Sequence, residues 1–68
     1  MKFEFKSSNG QLMMSIESPN TKFAKLVKQM FINEMKDIHG PGFNMSVSTP
    51  IEGGTFEQYS HGIECRVS

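Results

Sequence analysis

The 68-residue chain has very few of the residues that cross-link a small fold. It contains one cysteine, Cys65, so an internal disulfide is excluded. The histidines His39 and His61 form no metal-binding series with that cysteine. Because a chain this short buries a small share of its surface, we expect marginal stability as a monomer. A homodimer is therefore the expected state.

The chain also has no excess charge of either sign. Seven basic and seven acidic residues give a formal net charge of zero, which excludes the strong basic field of a protein that neutralises many phosphates. The charges are unevenly distributed, however. Up to Met30 there are five lysines against two glutamates, and after it two basic against five acidic residues. This asymmetry can order two copies head to tail or orient the domain on a charged partner.

Long hydrophobic runs are absent as well. No apolar stretch approaches the ~20 residues of a membrane span, and the N-terminal MKFEFKSS lacks the apolar region of a signal peptide. A lone unpaired cysteine favours a reducing compartment. We therefore expect a complete cytoplasmic product with no membrane association, which folds as one domain over residues 1–68.

What the sequence does contain is one segment with sustained helical periodicity, between residues 18 and 40. It predicts a helix over 19–39. Ser18 before Pro19 can cap its start, with Asn20 as the rival cap. Gly40 can adopt the left-handed conformation that ends a helix, and the proline after it cannot continue the hydrogen bonding.

This helix is predicted to be amphipathic. Glu34 projects into its apolar side, which indicates that the helix overhangs the sheet there or that the carboxylate meets a partner. The apolar side is expected to cover the core, and on a 3.6-residue period it comprises Phe23, Ala24, Leu26, Val27, Met30, Phe31, Met35 and Ile38.

Residues 2–17 have the pattern of a β-hairpin. Asn9 and Gly10 lie between alternating runs and are typical of a two-residue type I′ turn. That turn sets Met13 opposite Lys6 and directs it away from the core. Hydrophobic residues then face one another and opposite charges meet; the predicted pairs are Phe5 with Met14, Phe3 with Ile16, and Lys2 with Glu17.

A second hairpin is predicted over residues 43–67. Its first strand would place Phe43, Met45 and Val47 on one face, followed by a loop over 50–55 and a final strand over about 58–67, in which Gly62 marks a bulge or a close backbone approach. The predicted fold is α+β with ββαββ order: a four-stranded antiparallel sheet with one amphipathic helix packed on one face.

Reactive groups are few in this arrangement. His61 and Cys65 would lie roughly 13 Å apart along one strand at ~3.3 Å per residue, too far for a nucleophile and its base. Cys65 is more simply a small buried apolar residue. His61 and Tyr59 could form a polar pocket, although a histidine bonded to backbone is the simpler interpretation. We therefore expect no enzyme, no cofactor and no bound metal.

Protein binding is the function that this composition favours. We expect an adaptor or inhibitor that masks a surface of a larger protein partner. The alternative is a weak nucleic-acid-binding protein that uses the lysine side of the helix. The predicted contact residues lie on the polar side of the helix and on the first hairpin: Lys22, Lys25, Gln29, Ile32, Asn33, Lys36 and Met13.

Overall fold

Five antiparallel strands and one long helix form the chain, and the computed structural model describes all residues 1–68. The strands lie in one sheet in the order β2-β1-β5-β4-β3. The α+β class is confirmed, but the predicted four strands and ββαββ order are wrong, because three strands follow the helix. The elements are β1 (Lys2–Lys6), β2 (Leu12–Glu17), α1 (Thr21–His39), β3 (Met45–Ile51), β4 (Gly54–Tyr59) and β5 (Glu64–Val67).

The additional strand arises from a tight reversal inside the segment 58–67, which was predicted to be one strand. His61 and Gly62 have φ angles of 61° and 72°, and the N–H of Ile63 donates to the carbonyl oxygen of Ser60 at 3.3 Å. These are the features of a type I′ turn. Histidine enters the left-handed region more readily than most residues, so the chain turns back here and β5 pairs with β4.

The first hairpin has the predicted register but a different turn. The N–H of Ser7 donates to the carbonyl oxygen of Gln11 at 2.8 Å, which leaves three residues, 8–10, in the loop, and Lys6 pairs with Leu12. Met13 is then the extra residue of a bulge, which restores the register beyond it. The two-residue turn and the pairing of Met13 with Lys6 are therefore wrong, whereas the other three pairs are confirmed: Phe5 with Met14, Phe3 with Ile16, and Lys2 with Glu17.

A second bulge lies in β3. Met45 pairs with Tyr59 and Val47 pairs with Gln58, so Ser46 is the extra residue, and its hydroxyl donates to the carbonyl oxygen of Gln58 at 3.0 Å. Met45 and Val47 therefore point to opposite faces of the sheet, and the prediction that they share a face is wrong. The loop predicted over 50–55 is also shorter, because only residues 52 and 53 lie outside β3 and β4.

The helix ends are close to the prediction. Asn20 is the N-cap, and its side-chain oxygen accepts a hydrogen bond from the N–H of Phe23 at 3.0 Å. Ser18 supports the cap, because its hydroxyl oxygen accepts from the N–H of Asn20 at 3.0 Å. Gly40 ends the helix as predicted, with φ of 97° and an N–H that donates to the carbonyl oxygen of Lys36 at 2.8 Å.

The orientation of α1 about its own axis differs from the prediction. Of the eight helix residues expected in the core, only Ala24 and Met35 are fully buried, and Ile32, expected on the polar side, packs against the core. The helix is thus rotated by about one residue position. Four expected core residues are exposed instead: Phe23 (50%), Leu26 (57%), Met30 (58%) and Ile38 (66%). The buried core consists of Phe3, Phe5, Ala24, Met35, Phe43, Tyr59, Ile63 and Cys65.

Candidate functional site

A buried carboxylate lies beneath the helix. Glu57 of β4 pairs with Cys65 of β5, so its side chain lies on the face of the sheet that α1 covers, and only 9% of the residue is exposed. The Nζ atom of Lys28 lies 2.8 Å from Oε1 of Glu57, and the hydroxyl of Tyr59 donates to the same oxygen at 2.9 Å. Lys28 also lies 5.1 Å from the ring centroid of Phe3. The buried charge is therefore paired and hydrogen-bonded.

This ion pair explains why the helix is rotated. A carboxylate that is buried without a partner costs several kcal/mol, so the side of α1 that faces the sheet has to include Lys28. Ile32 lies one turn further along the same side and is carried inward with it. Met30, on the opposite flank, is carried outward. The sequence held one signal of this, since Glu57 and Tyr59 alternate along a strand and must share a face.

The two ionisable side chains beside Glu57 are held in their neutral forms. Burial raises the pKa of the Cys65 thiol to about 12, and the nearby Glu57 carboxylate adds to the increase. Burial also raises the pKa of Tyr59 well above its ordinary value, and its hydrogen bond to Glu57 contributes. Neither group supplies an anionic nucleophile at neutral pH. The cluster therefore stabilises the fold.

The two histidines lie next to each other at one end of the sheet. The ring of His61, in the turn after β4, stacks on that of His39 with centroids 4.1 Å apart, and Phe43 lies 6.4 Å from His61. Tyr59 directs its hydroxyl to Glu57 instead of to His61. No group of three or more His, Cys, Asp or Glu side chains could hold a metal ion.

A cleft opens on one flank of α1, between the helix and β4. The helix lies mainly over β1 and β2, and its Lys28 reaches across to the buried Glu57 of β4, so β3 lies outside its cover. Three of the predicted contact residues, Lys25, Gln29 and Ile32, belong to this cleft. It has a volume of about 330 Å³ and is lined by Met1, Phe3, Lys25, Lys28, Gln29, Ile32, Glu57 and Val67.

The remaining predicted contact residues lie elsewhere. Lys22, Asn33 and Lys36 are exposed on the outer surface of the helix, where the side-chain nitrogen of Gln29 donates to the side-chain oxygen of Asn33 at 3.0 Å. Met13 is exposed in the bulge of β2, the outermost strand on the side away from the cleft. The structure therefore does not bring Met13 together with the other six.

A second surface, on the opposite flank of α1, was missed by the sequence analysis because its helix residues were assigned to the core. We call it the apolar edge; it consists of the outer strand β2 and the exposed helix residues Phe23, Leu26, Met30 and Ile38. An adjoining groove of about 380 Å³ separates β2 from the helix and is lined by Met14, Val27, Met30, Phe31, Asn33 and Glu34. Glu34 therefore lies beside exposed apolar groups, a common setting for a protein contact.

Comparison with protein-family models, curated proteins and solved structures finds no match to the chain. No helix of the chain is both long and apolar enough to cross a lipid bilayer. A function has to be inferred from the cleft, the apolar edge and the charges around them.

Proposed function

We propose that the chain is a non-enzymatic protein-binding module, an adaptor or inhibitor that masks part of a larger partner by accepting one of the partner's helices in the cleft. The observation that carries this proposal is that α1 lies over β1 and β2 in a sheet of five strands. The outer strand axes of such a sheet are roughly 19 Å apart, and a helix with its side chains is about 10 Å wide. One more helix can lie beside α1.

The cleft indicates what that helix should look like. Phe3, Ile32 and Val67 supply apolar atoms, so the incoming helix needs an apolar side that faces the sheet. Lys28 is already neutralised by Glu57, which leaves Lys25 as the cation at the rim. An acidic flank on the partner helix would complement it, with charge improving the association rate and selectivity more than the affinity.

The chemistry of the buried cluster favours binding over catalysis. Burial raises the pKa of the Cys65 thiol to about 12 and so disfavours the reactive thiolate further, and Lys28 and Glu57 neutralise each other. A general base or nucleophile has to present an unpaired, partly accessible group to a substrate. These three side chains and the Tyr59 hydroxyl, which donates to Glu57, instead pair with one another.

Nucleic-acid binding is the weaker alternative. With Lys28 paired to Glu57, three exposed lysines remain on the helix: Lys22, Lys25 and Lys36. Three cations on a chain of zero net charge would bind phosphates weakly at physiological salt. If this alternative is right, binding to random single strands will fall steeply with added salt. The absence of binding at about 50 mM salt would remove it.

Site-specific photo-crosslinking in cells that naturally produce the chain tests the proposal. A photoreactive amino acid at Gln29, in the cleft, should form an adduct with a larger protein. The same amino acid at Thr49, which pairs with Phe56 on the face of the sheet away from α1, should not. Identical adducts from both positions, or adducts removed by nuclease, would contradict it.

A second step identifies the cleft as the contact. A synthetic helix from the crosslinked protein should bind the purified chain, and Lys25→Glu should weaken that binding by at least about tenfold. Lys6→Glu is the matched control, because Lys6 is an exposed lysine outside the cleft. Equal effects of the two substitutions would show that general charge, not the cleft, controls binding.

A further inference from the structure

The apolar edge lies on the opposite flank of α1 from the cleft, and we propose that its occupant is a second copy of this chain, joined through β2 about a two-fold axis. The proposal rests on different residues from the proposed function and is independent of it. Four properties of this edge favour a second copy: the direction of its backbone groups, the self-complementary sequence of β2, the spacing of the helices that would result, and the positions of its charges.

The backbone of β2 has groups free to pair with another strand. Lys2 exchanges two backbone hydrogen bonds with Ser68, at 2.7 and 2.9 Å, so Lys2 and alternate residues of β1 are directed toward β5. Their partners in β2, Glu17 and Ser15, must then direct their N–H and C=O groups outward. An outer strand of this kind readily accepts another strand.

The sequence of β2 is complementary to itself in antiparallel pairing. If Ser15 of each copy lies at the two-fold axis, Met14 faces Ile16 of the second copy on the side of the sheet that carries α1. Apolar side chains then meet apolar side chains beneath the helices, and the serines meet on the opposite face. Such cross-strand pairs are the units that stabilise a sheet.

The same pairing would bring the two helices into contact. Paired strands lie about 4.8 Å apart and α1 lies over β1 and β2, so the two helix axes would be within about 10 Å, the distance at which helices pack. The two-fold axis makes them antiparallel. The contact would bury Phe23, Leu26, Met30 and Ile38, which span about 22 Å of the helix.

The charges along the helix complement one another in this antiparallel arrangement. Lys22 lies near the N-terminal end of α1, whereas the acidic residues Glu34 and Asp37 outnumber Lys36 near its C-terminal end. Each end of one helix would therefore meet the oppositely charged end of the other, and the helix dipoles would also oppose. A second copy satisfies these charges without any other component, which is why we choose it over an unrelated apolar partner.

A charge-swap experiment tests the proposal with sedimentation velocity over a concentration series. The wild-type chain should dimerise. A Lys22→Glu chain, and a chain with Glu34→Lys and Asp37→Lys, should each dimerise at least about tenfold more weakly, because like charges then meet. An equimolar mixture of the two variants should recover dimers, since both opposite-charge contacts are restored in the heterodimer.

Leu26→Asp provides a second test at the centre of the apolar edge. It should weaken the dimer at least about tenfold, whereas Thr49→Asp, which adds the same charge to β3 on the face of the sheet away from α1, should leave it unchanged. A wild-type chain that stays monomeric up to about 1 mM would overturn the proposal. Dimers that tolerate Leu26→Asp, or charge variants that fail to form heterodimers, would overturn it too. None of these variants changes Lys25, so failure here would leave the cleft proposal intact.

Discussion

The Nζ atom of Lys28 and the Oε1 atom of Glu57 lie 2.8 Å apart, and both side chains are largely shielded from water. This contact joins the middle of α1 to β4, a strand that lies two positions from β1 in the sheet. It determines which side of the helix faces the sheet and, as a result, which apolar residues are exposed on the other flank. Both proposed surfaces depend on it.

Substitution of one member of this pair is therefore expected to be costly. Lys28→Met should lower the free energy of unfolding by about 3–5 kcal/mol at neutral pH, because it leaves the Glu57 carboxylate buried with only the Tyr59 hydroxyl as partner. Urea denaturation measures the loss. The double variant Lys28→Met with Glu57→Leu should recover most of it, since no buried charge remains. Additive losses in the double variant would contradict this account.

Stability should fall in alkaline solution for a reason that involves Cys65. The thiol ionises near its ordinary pKa of 9.0 when the chain is unfolded and near a pKa of about 12 when it is folded, because burial disfavours the thiolate. Between these values the unfolded state has lost a proton that the folded state keeps. The stabilisation is thus fully present below pH 9 and is lost as pH rises toward 12, by at most about 1.4 kcal/mol per pH unit for one group.

The measurement is urea denaturation at several values between pH 8 and pH 11, compared with a Cys65→Ala chain. That variant will be less stable throughout, because the truncation leaves a cavity, but its stability should fall less steeply with pH. Tyr59, whose pKa is also raised by burial, is present in both chains, so both should retain its contribution to the fall of stability with pH. Parallel pH profiles for the two chains would show that the Cys65 thiol contributes nothing to this dependence.

The turn that separates β4 from β5 should tolerate little change at Gly62. Its φ of 72° disfavours a side chain, and a Cβ there would lie 2.7 Å from the Cβ of Ser8. Gly62→Ala should therefore cost about 2 kcal/mol of stability. Gly42→Ala is the matched control, because a Cβ at Gly42 meets nothing within 4 Å, and it should change stability by less than about 0.5 kcal/mol.

Adding Ser8→Gly to Gly62→Ala separates the two causes of this cost. Glycine at position 8 removes the close contact but leaves the backbone strain of alanine at position 62, so the double variant should recover part of the lost stability. Full recovery would assign the whole cost to the contact, and no recovery would assign it to the backbone.

Substitutions at the N-terminus of the helix should lower stability by a smaller amount. Asn20→Ala removes the 3.0 Å hydrogen bond to the N–H of Phe23 and should cost about 1 kcal/mol. Ser18→Ala removes a bond to the cap residue only and should cost less. Thermal unfolding of the two variants side by side measures the difference. A larger loss from Ser18→Ala would mean that Ser18 contributes more to this helix end than its neighbour.

Local patterns were sufficient to predict several features. Residue alternation predicted the pairs Phe3 with Ile16 and Phe5 with Met14, since a one-residue slip would expose both phenylalanines. Gly40 predicted the helix end. Helical periodicity placed Lys25 and Gln29 on the polar side of the helix, and both line the cleft; their contact with a partner stays a prediction.

The features that sequence reading missed depend on contacts between distant parts of the chain. The inward side of α1 could not be predicted from helical periodicity, because it is chosen by the pairing of Lys28 with Glu57. The reversal at His61 and Gly62 was overlooked because alternation continues through it on both sides. Because of the pairing of Lys28 with Glu57, Ile32 packs against the core although it was expected on the polar side. Leu26 is exposed although it was expected in the core.

Pro50 lies in β3, the strand at the other border of the sheet. A proline supplies no amide hydrogen, and the irregularity at Ser46 breaks the flat run that a neighbouring strand would need. This border thus resists further growth, whereas β2 contains no proline and is regularly paired from Met14 to Glu17, beyond its bulge. An assembly that forms through β2 would consequently stop at two molecules. Each end of its continuous sheet would be a β3 strand that resists further pairing, so the dimer could not extend into a fibre.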